Sequence, residues 1–217
     1  MRYFVRMSEL NIHFLDARGA LTDVLHWVQS CLAETYIKSS ALLPLRPVDV
    51  VVKASTHVIP EKGHLGYAPE PGLIFISVDP ENSVFKANNE ASLERMFAHE
   101  LHHVARWDGP GYGVTLGQAL VSEGLAGFFA REVCGGEPEP WERLSHSVTQ
   151  PYLAKAGQDW DRPDYDHAAW FFGLGCLPRW LGYSLGYQLV ARYLSMHPEM
   201  TASKLVEADS QLFQGLL

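Results

Sequence analysis

Basic residues are few: 17 Lys and Arg stand against 25 Asp and Glu, a formal charge of −8, and they form no run. Affinity for a phosphate backbone comes from clustered Lys and Arg, so nucleic acid is excluded as the main partner. Cysteine is scarcer still. Cys31, Cys134 and Cys176 are three in number and far apart, which suits neither a disulfide framework nor a Cys-rich zinc knuckle. They read as small buried apolar side chains in a reducing cytoplasm. No window approaches the roughly 18 apolar residues of a membrane span. The opening MRYFVRMSELNIHFLD lacks the apolar stretch and small-residue cleavage site of a secretory leader. Internal repeats and low-complexity tracts are absent as well. These absences leave a cytoplasmic chain without membrane insertion.

What is present is core material. Apolar residues make up 47% and aromatics 12% of 217 positions, enough for one packed domain, since domains run to roughly 100–200 residues. LNIHFLD (10–16) reads as a strand, and 20–38 as a helix with Leu21, Val24, Leu25, Val28 and Leu32 at helical spacing. The β-branched stretch 47–55 reads as a second strand. Turn residues Pro69, Pro71 and Gly72 precede the alternating run Leu73 to Val78, the pattern of a hairpin that ends in a strand. From Asn88 nearly every segment scans as helix. The first is 88–107 with Asn88 or Asn89 as N-cap, and the second follows Thr115 and Gln118 at capping-box spacing and closes at Gly135 and Gly136. Further helices are expected over 141–156, 165–172, 178–196 and 202–213. The fold class is therefore α+β in a single domain, 1–217, with a β-bearing part (1–87) and a helical part (88–217).

The chemistry concentrates in FAHELHHVARWDG, whose centre HELHH puts three histidines and one glutamate in five positions. Residues four apart share a helix face, so His99 and His103 can direct both imidazoles at one ion. His102, about 100° around the helix from His103, faces another element or solvent. Glu100 is placed to work as a base without being a ligand. Met96, Phe97, Leu101 and Val104 flank the motif, so it sits on a buried or half-buried helix, where unpaired polar groups are costly. Catalytic zinc takes three protein ligands. Glu123 is the single acidic residue between Leu116 and Ala130 and is the candidate third.

HELHH followed by SEGLA, with twenty residues from His103 to Glu123, resembles the gluzincin metallopeptidases. More narrowly, AHELHHVAR, LVSEGLAGFF, WFFG and PRWLGYSLGYQLV are similar to the bacterial YjaZ-like predicted zinc-dependent proteases, over about the last two-thirds of the chain. The resemblance implies a minimal gluzincin-like fold, a small twisted sheet over an active-site helix followed by a mostly helical part. It also implies His99, His103 and Glu123 as Zn2+ ligands, Glu100 as catalytic base, and a peptide or protein substrate. One departure stands out: many gluzincins carry an Asp four residues beyond the third ligand, where this chain has Gly127. A ligand imidazole needs an acceptor of that kind, for which Asp166, Glu94 and a backbone carbonyl are the alternatives.

An oxyanion formed during hydrolysis needs a donor besides zinc. Tyr187 is the first choice, Tyr183 the supporting or alternate one and His167 the third. The strand GLIFISV is a possible substrate edge, and DGPGYG a possible rim loop of the cleft. The competing readings are a non-catalytic zinc-binding or partner-binding module, which a fourth ligand such as Cys134 or His146 would favour, and a zinc amidohydrolase acting on a nonpeptide amide.

Overall fold

In the computed structural model, which describes residues 9–217, the chain forms two compact units. One runs to Ala105 and adds Val133–Gly135; the other takes Arg106–Glu132 and Gly136–Leu217. The fold is α+β, with a four-stranded sheet near the N-terminus and a mostly helical remainder.

The first unit holds strands β1 (Leu10–Leu15), β2 (Val48–Ala54), β3 (His64–Glu70) and β4 (Leu73–Val78), in the order β1-β2-β4-β3. β1 pairs parallel with β2 and β2 parallel with β4, while β3 and β4 form the expected antiparallel hairpin, turning through Gly72 at φ 72°. Parallel neighbours need a crossover, and helix α1 (Leu25–Ser40) supplies it between β1 and β2. Alternation sets the sheet's core face: Val48, Val50 and Val52 of β2 and Ile74, Ile76 and Val78 of β4 are all buried. That face packs with Val28 and Leu32 of α1 and with Leu93, Phe97, Leu101 and Val104 of helix α3 (Ser92–Trp107). The possible edge, GLIFISV, is interior: β4 lies between β2 and β3, so β3 is the edge strand on that side. Pro69 in β3 coincides with the register shift between Tyr67 and Glu70, the setting in which an edge strand tolerates proline.

Helix α2 (Ser83–Ala87) ends at Asn88, whose φ is 43°. Asn88 is not the N-cap expected of it, because α3 begins only at Ser92 and Asn88 closes α2; its side chain still reaches the first turn of α3, where its Oδ1 accepts from Leu93 N at 2.9 Å and its Nδ2 donates to Glu94 Oε2 at 2.8 Å. Cysteine departs in part from expectation. Cys31 is buried, and burial followed by the Glu94 charge pushes its thiol up to about 12, but Cys134 is half-buried and Cys176 exposed.

The second unit is built on helices α4 (Leu116–Cys134) and α7 (Leu181–Met196). The capping box at α4 forms as read, with Gln118 Oε1 accepting from Thr115 N at 3.1 Å. Gly124 and Gly186 let these helices meet at the backbone, because a Cβ on Gly186 would strike the Leu120 carbonyl and one on Gly124 the Gly186 carbonyl. The helix expected over 141–156 is broken instead into α5 (His146–Thr149) and α6 (Leu153–Asp159) with 3-10 turns at Pro140–Glu142 and Gln150–Tyr152. Pro151 accounts for one break, since it has no N–H to donate to the helical ladder. The stretch 165–172 holds a π-helical turn, Ala168–Phe172. The helix expected over 202–213 forms only as turns and α8 (Gln211–Gln214). Side chains take the backbone groups a helix would have used. Arg106 Nη1 donates to the carbonyls of Val206 (2.9 Å) and Ala208 (3.3 Å), and Glu132 accepts from Ser203 N and Oγ.

Candidate metal centre

Helix α3 sorts its residues by angle. Leu93, Phe97, Leu101 and Val104 recur every three or four positions and face the core of the first unit. At 100° per residue His99 and His103 lie roughly 160° and 120° round the helix from the middle of that stripe and share the other side. Their Nε2 atoms stand 2.9 Å apart, with the ring planes at 82°. The ligand atoms of His99, His103 and Glu123 all lie within 4.8 Å of one another, a group of three donors among the described residues. The sequence reading named the same three residues.

Glu100 is buried, 7% exposed, and sits one position round the helix from the imidazoles. It lies over the backbone of β3: a Cβ on Gly66 would come within 2.7 Å of Glu100 Cγ and 2.9 Å of its Oε1. Gly66 therefore leaves the room in which the carboxylate rests. His102 is fully buried, which decides between the two surroundings expected for it in favour of another element of the protein.

Glu123 is 5% exposed within α4, a helix otherwise apolar along this stretch. Tyr112, in the loop before α4, donates its hydroxyl to Glu123 Oε1. Two further rings feel the same carboxylate. Burial, and then the Glu123 charge, pushes the Tyr165 phenol up to about 12. Burial holds His167 below its ordinary value against the opposing pull of Glu123 and Asp166. Tyr165 Oη and His167 Nδ1 are 3.1 Å apart, and His167 stacks on Phe171 at 4.4 Å.

The tyrosines of α7 diverge. Arg131 Nη1 donates to Tyr187 Oη at 2.6 Å, and the Tyr187 ring stacks on Phe128 at 4.2 Å. Tyr183 meets Phe171 edge-on at 5.0 Å, on the residue that also carries His167. Glu94 is engaged with Asn88, and Asp166 accepts from Ala169 N at 2.9 Å. Where the gluzincin pattern has an Asp and this chain has Gly127, the space is filled by a carboxylate from elsewhere: a Cβ on Gly127 would strike Glu142 Oε1. Glu142 is buried and its Oε2 accepts from Glu139 N at 2.7 Å.

Sequence reasoning missed Tyr112, Tyr165, Gly66 and Glu142. Only Gly66 left a usable signal, a lone glycine inside a strand, which often marks a close approach.

A half-buried and a buried histidine on one helix with a carboxylate from the next define a candidate zinc protein, and comparison with known proteins agrees. The family described as "Predicted Zn-dependent protease (DUF2268)" matches residues 28–214, and the chain belongs to it. Two proteins of Bacillus subtilis (strain 168) are similar. The uncharacterized protein YjfC is 29% identical over 167 residues, 70% of this chain and 54% of its own length. The uncharacterized protein YjaZ is 30% identical over 134 residues, 54% of this chain and 46% of its own length. The chain thus spans about half the length of these curated relatives. No solved structure matches it significantly. The resemblance read from HELHH and SEGLA is borne out at the level of the family. Among the described residues, no helix is long and apolar enough to cross a membrane.

Proposed function

We propose that this chain is a zinc-dependent peptidase in which His99, His103 and Glu123 hold Zn2+ and Glu100 acts as general base. The observation that carries it is the convergence of two imidazole nitrogens and a carboxylate oxygen within 4.8 Å. The donor set suits the ion: two imidazoles and one carboxylate are three ligands of a catalytic zinc, with a position left for water. When bound, zinc would polarise the scissile carbonyl and lower the pKa of a water molecule towards about 7.

The remaining work falls to the chain. Glu100 accepts the proton of the attacking water on its carboxylate and returns it to the leaving nitrogen. Gly66 leaves the room in which that carboxylate rests, and β3, the edge strand on which it lies, is the surface along which a peptide adds as a strand. For the oxyanion donor we favour His167, with Tyr183 beside it across Phe171, because His167 is within electrostatic reach of Glu123. Tyr187, the donor first expected, has its hydroxyl on Arg131, two turns along α4 from Glu123.

The test is digestion of a peptide library by the zinc-loaded chain and by Glu100→Gln, with metal content measured on both. The expected result is equal zinc and a rate lower by roughly 100-fold to 10,000-fold in the variant. Equal rates would leave a non-catalytic zinc-binding module. Cleavage confined to nonpeptide amides would leave the amidohydrolase.

A further inference from the structure

We propose that Tyr112 is a positioning residue for the metal centre, holding the Glu123 carboxylate in the orientation that binds zinc. The inference rests on Glu123 being the third ligand. Its basis is the loop Asp108–Val114 that precedes α4. Tyr112 donates its hydroxyl to Glu123 Oε1, and its ring lies nearly parallel to the Trp107 indole, 21° between planes with centroids 6.2 Å apart. The loop is fixed on both sides of this tyrosine. Gly111 takes a φ of 86°, open to glycine, and Gly113 packs on the first turn of α4 so closely that a Cβ there would come within 2.7 Å of Ala119 N. Val114 N, next in the chain, donates to Gln118 Oε1 at 2.8 Å. The phenol is therefore held by its ring and by the backbone around it, and its O–H is aimed at one oxygen of a buried carboxylate.

A carboxylate accepts at two oxygens and about four lone-pair sites, and it can turn about its Cγ–Cδ bond. A donor fixed on Oε1 stops that rotation and leaves the other lone pairs to a metal ion. Partners of this kind, one shell out from the ion, typically contribute 10-fold to 100-fold in affinity.

The experiment uses the full chain and Zn2+ alone, in competition with a chromophoric chelator, and compares wild type, Tyr112→Phe and Glu123→Ala. Phenylalanine keeps the ring on Trp107 and removes only the hydroxyl. The expected result is Zn2+ affinity about 10-fold to 100-fold weaker in Tyr112→Phe, with the visible absorption band of the Co2+-substituted form displaced from that of wild type. Wild-type affinity or a wild-type Co2+ band in Tyr112→Phe, while Glu123→Ala loses metal, overturns the positioning role and leaves the third-ligand reading standing. Zn2+ retained at full affinity by Glu123→Ala removes that reading and this inference together. A metal-free measurement covers a Phe variant that fails to fold. In Glu123→Ala the released Tyr112 should be cut by chymotrypsin faster than in the wild-type chain, and equal cleavage rates would overturn the proposal.

Discussion

Helices α3 and α7 are each sixteen residues long, and each carries two aromatic rings four positions apart: His99 and His103 on one, Tyr183 and Tyr187 on the other. On α3 the rings converge until their Nε2 atoms are 2.9 Å apart. On α7 they part, Tyr187 to Arg131 and Phe128, Tyr183 to Phe171. Equal spacing gives both pairs a shared face, so spacing is not what separates them. An imidazole has a lone-pair nitrogen that a neighbouring ring can face across a common point. A phenol's polar atom sits at the far end of a long ring and goes to whatever partner lies there. The i, i+4 pattern is thus informative for short metal-ligating side chains and weak for tyrosine.

Substitutions can break or sharpen this contrast. The largest effect is expected on α3, where Glu100→Gln should lower peptide hydrolysis by roughly 100-fold to 10,000-fold with zinc content unchanged. Turnover by zinc-loaded protein checks it. Next comes Gly66→Ala, whose added methyl meets Met96 Sδ together with Glu100 Cγ and Oε1. A displacement near 1 Å at a reacting group costs about 100-fold, so kcat should fall by that order while the chain still binds zinc, as steady-state kinetics and a metal assay would show. On α7 the expectation inverts. Tyr187→Phe leaves Arg131 without its phenol and should cost about 1.5–3 kcal/mol in urea unfolding, with turnover close to wild type. A large loss of kcat there would restore Tyr187 as the oxyanion donor. The smallest effect belongs to the start of α3. Asn88→Ala removes the acceptor for Leu93 N and places alanine at a φ of 43°, a loss of roughly 1–2 kcal/mol by the same unfolding measurement.

The parts legible in the sequence are those governed by local period and by residue type. The alternation of Val48 to Val52 and Leu73 to Val78, the apolar stripe of α3 and the capping residues Thr115 and Gln118 all act through neighbours within one turn or one strand. His99, His103 and Glu123 were legible because polar residues on buried helices are rare and costly. What stayed hidden depends on partners distant in sequence. The 202–213 segment scans as a helix, yet Arg106 and Glu132, 71 to 102 positions away, hold its backbone groups. Edge and interior strands share one alternation, so β4 could not be told from an edge. The Glu142 carboxylate fills the place of a side chain at Gly127 from fifteen residues further along the chain. Tyr112 stood in a loop already marked as a possible rim, but nothing in GPGYG indicates which group its hydroxyl meets.

The most direct measurement is X-ray anomalous scattering at the zinc edge from crystals of the zinc-loaded chain. A single strong peak bonded to His99 Nε2, His103 Nε2 and a Glu123 carboxylate oxygen is the predicted result. A peak elsewhere, or none at those three side chains in zinc-saturated protein, would contradict the account.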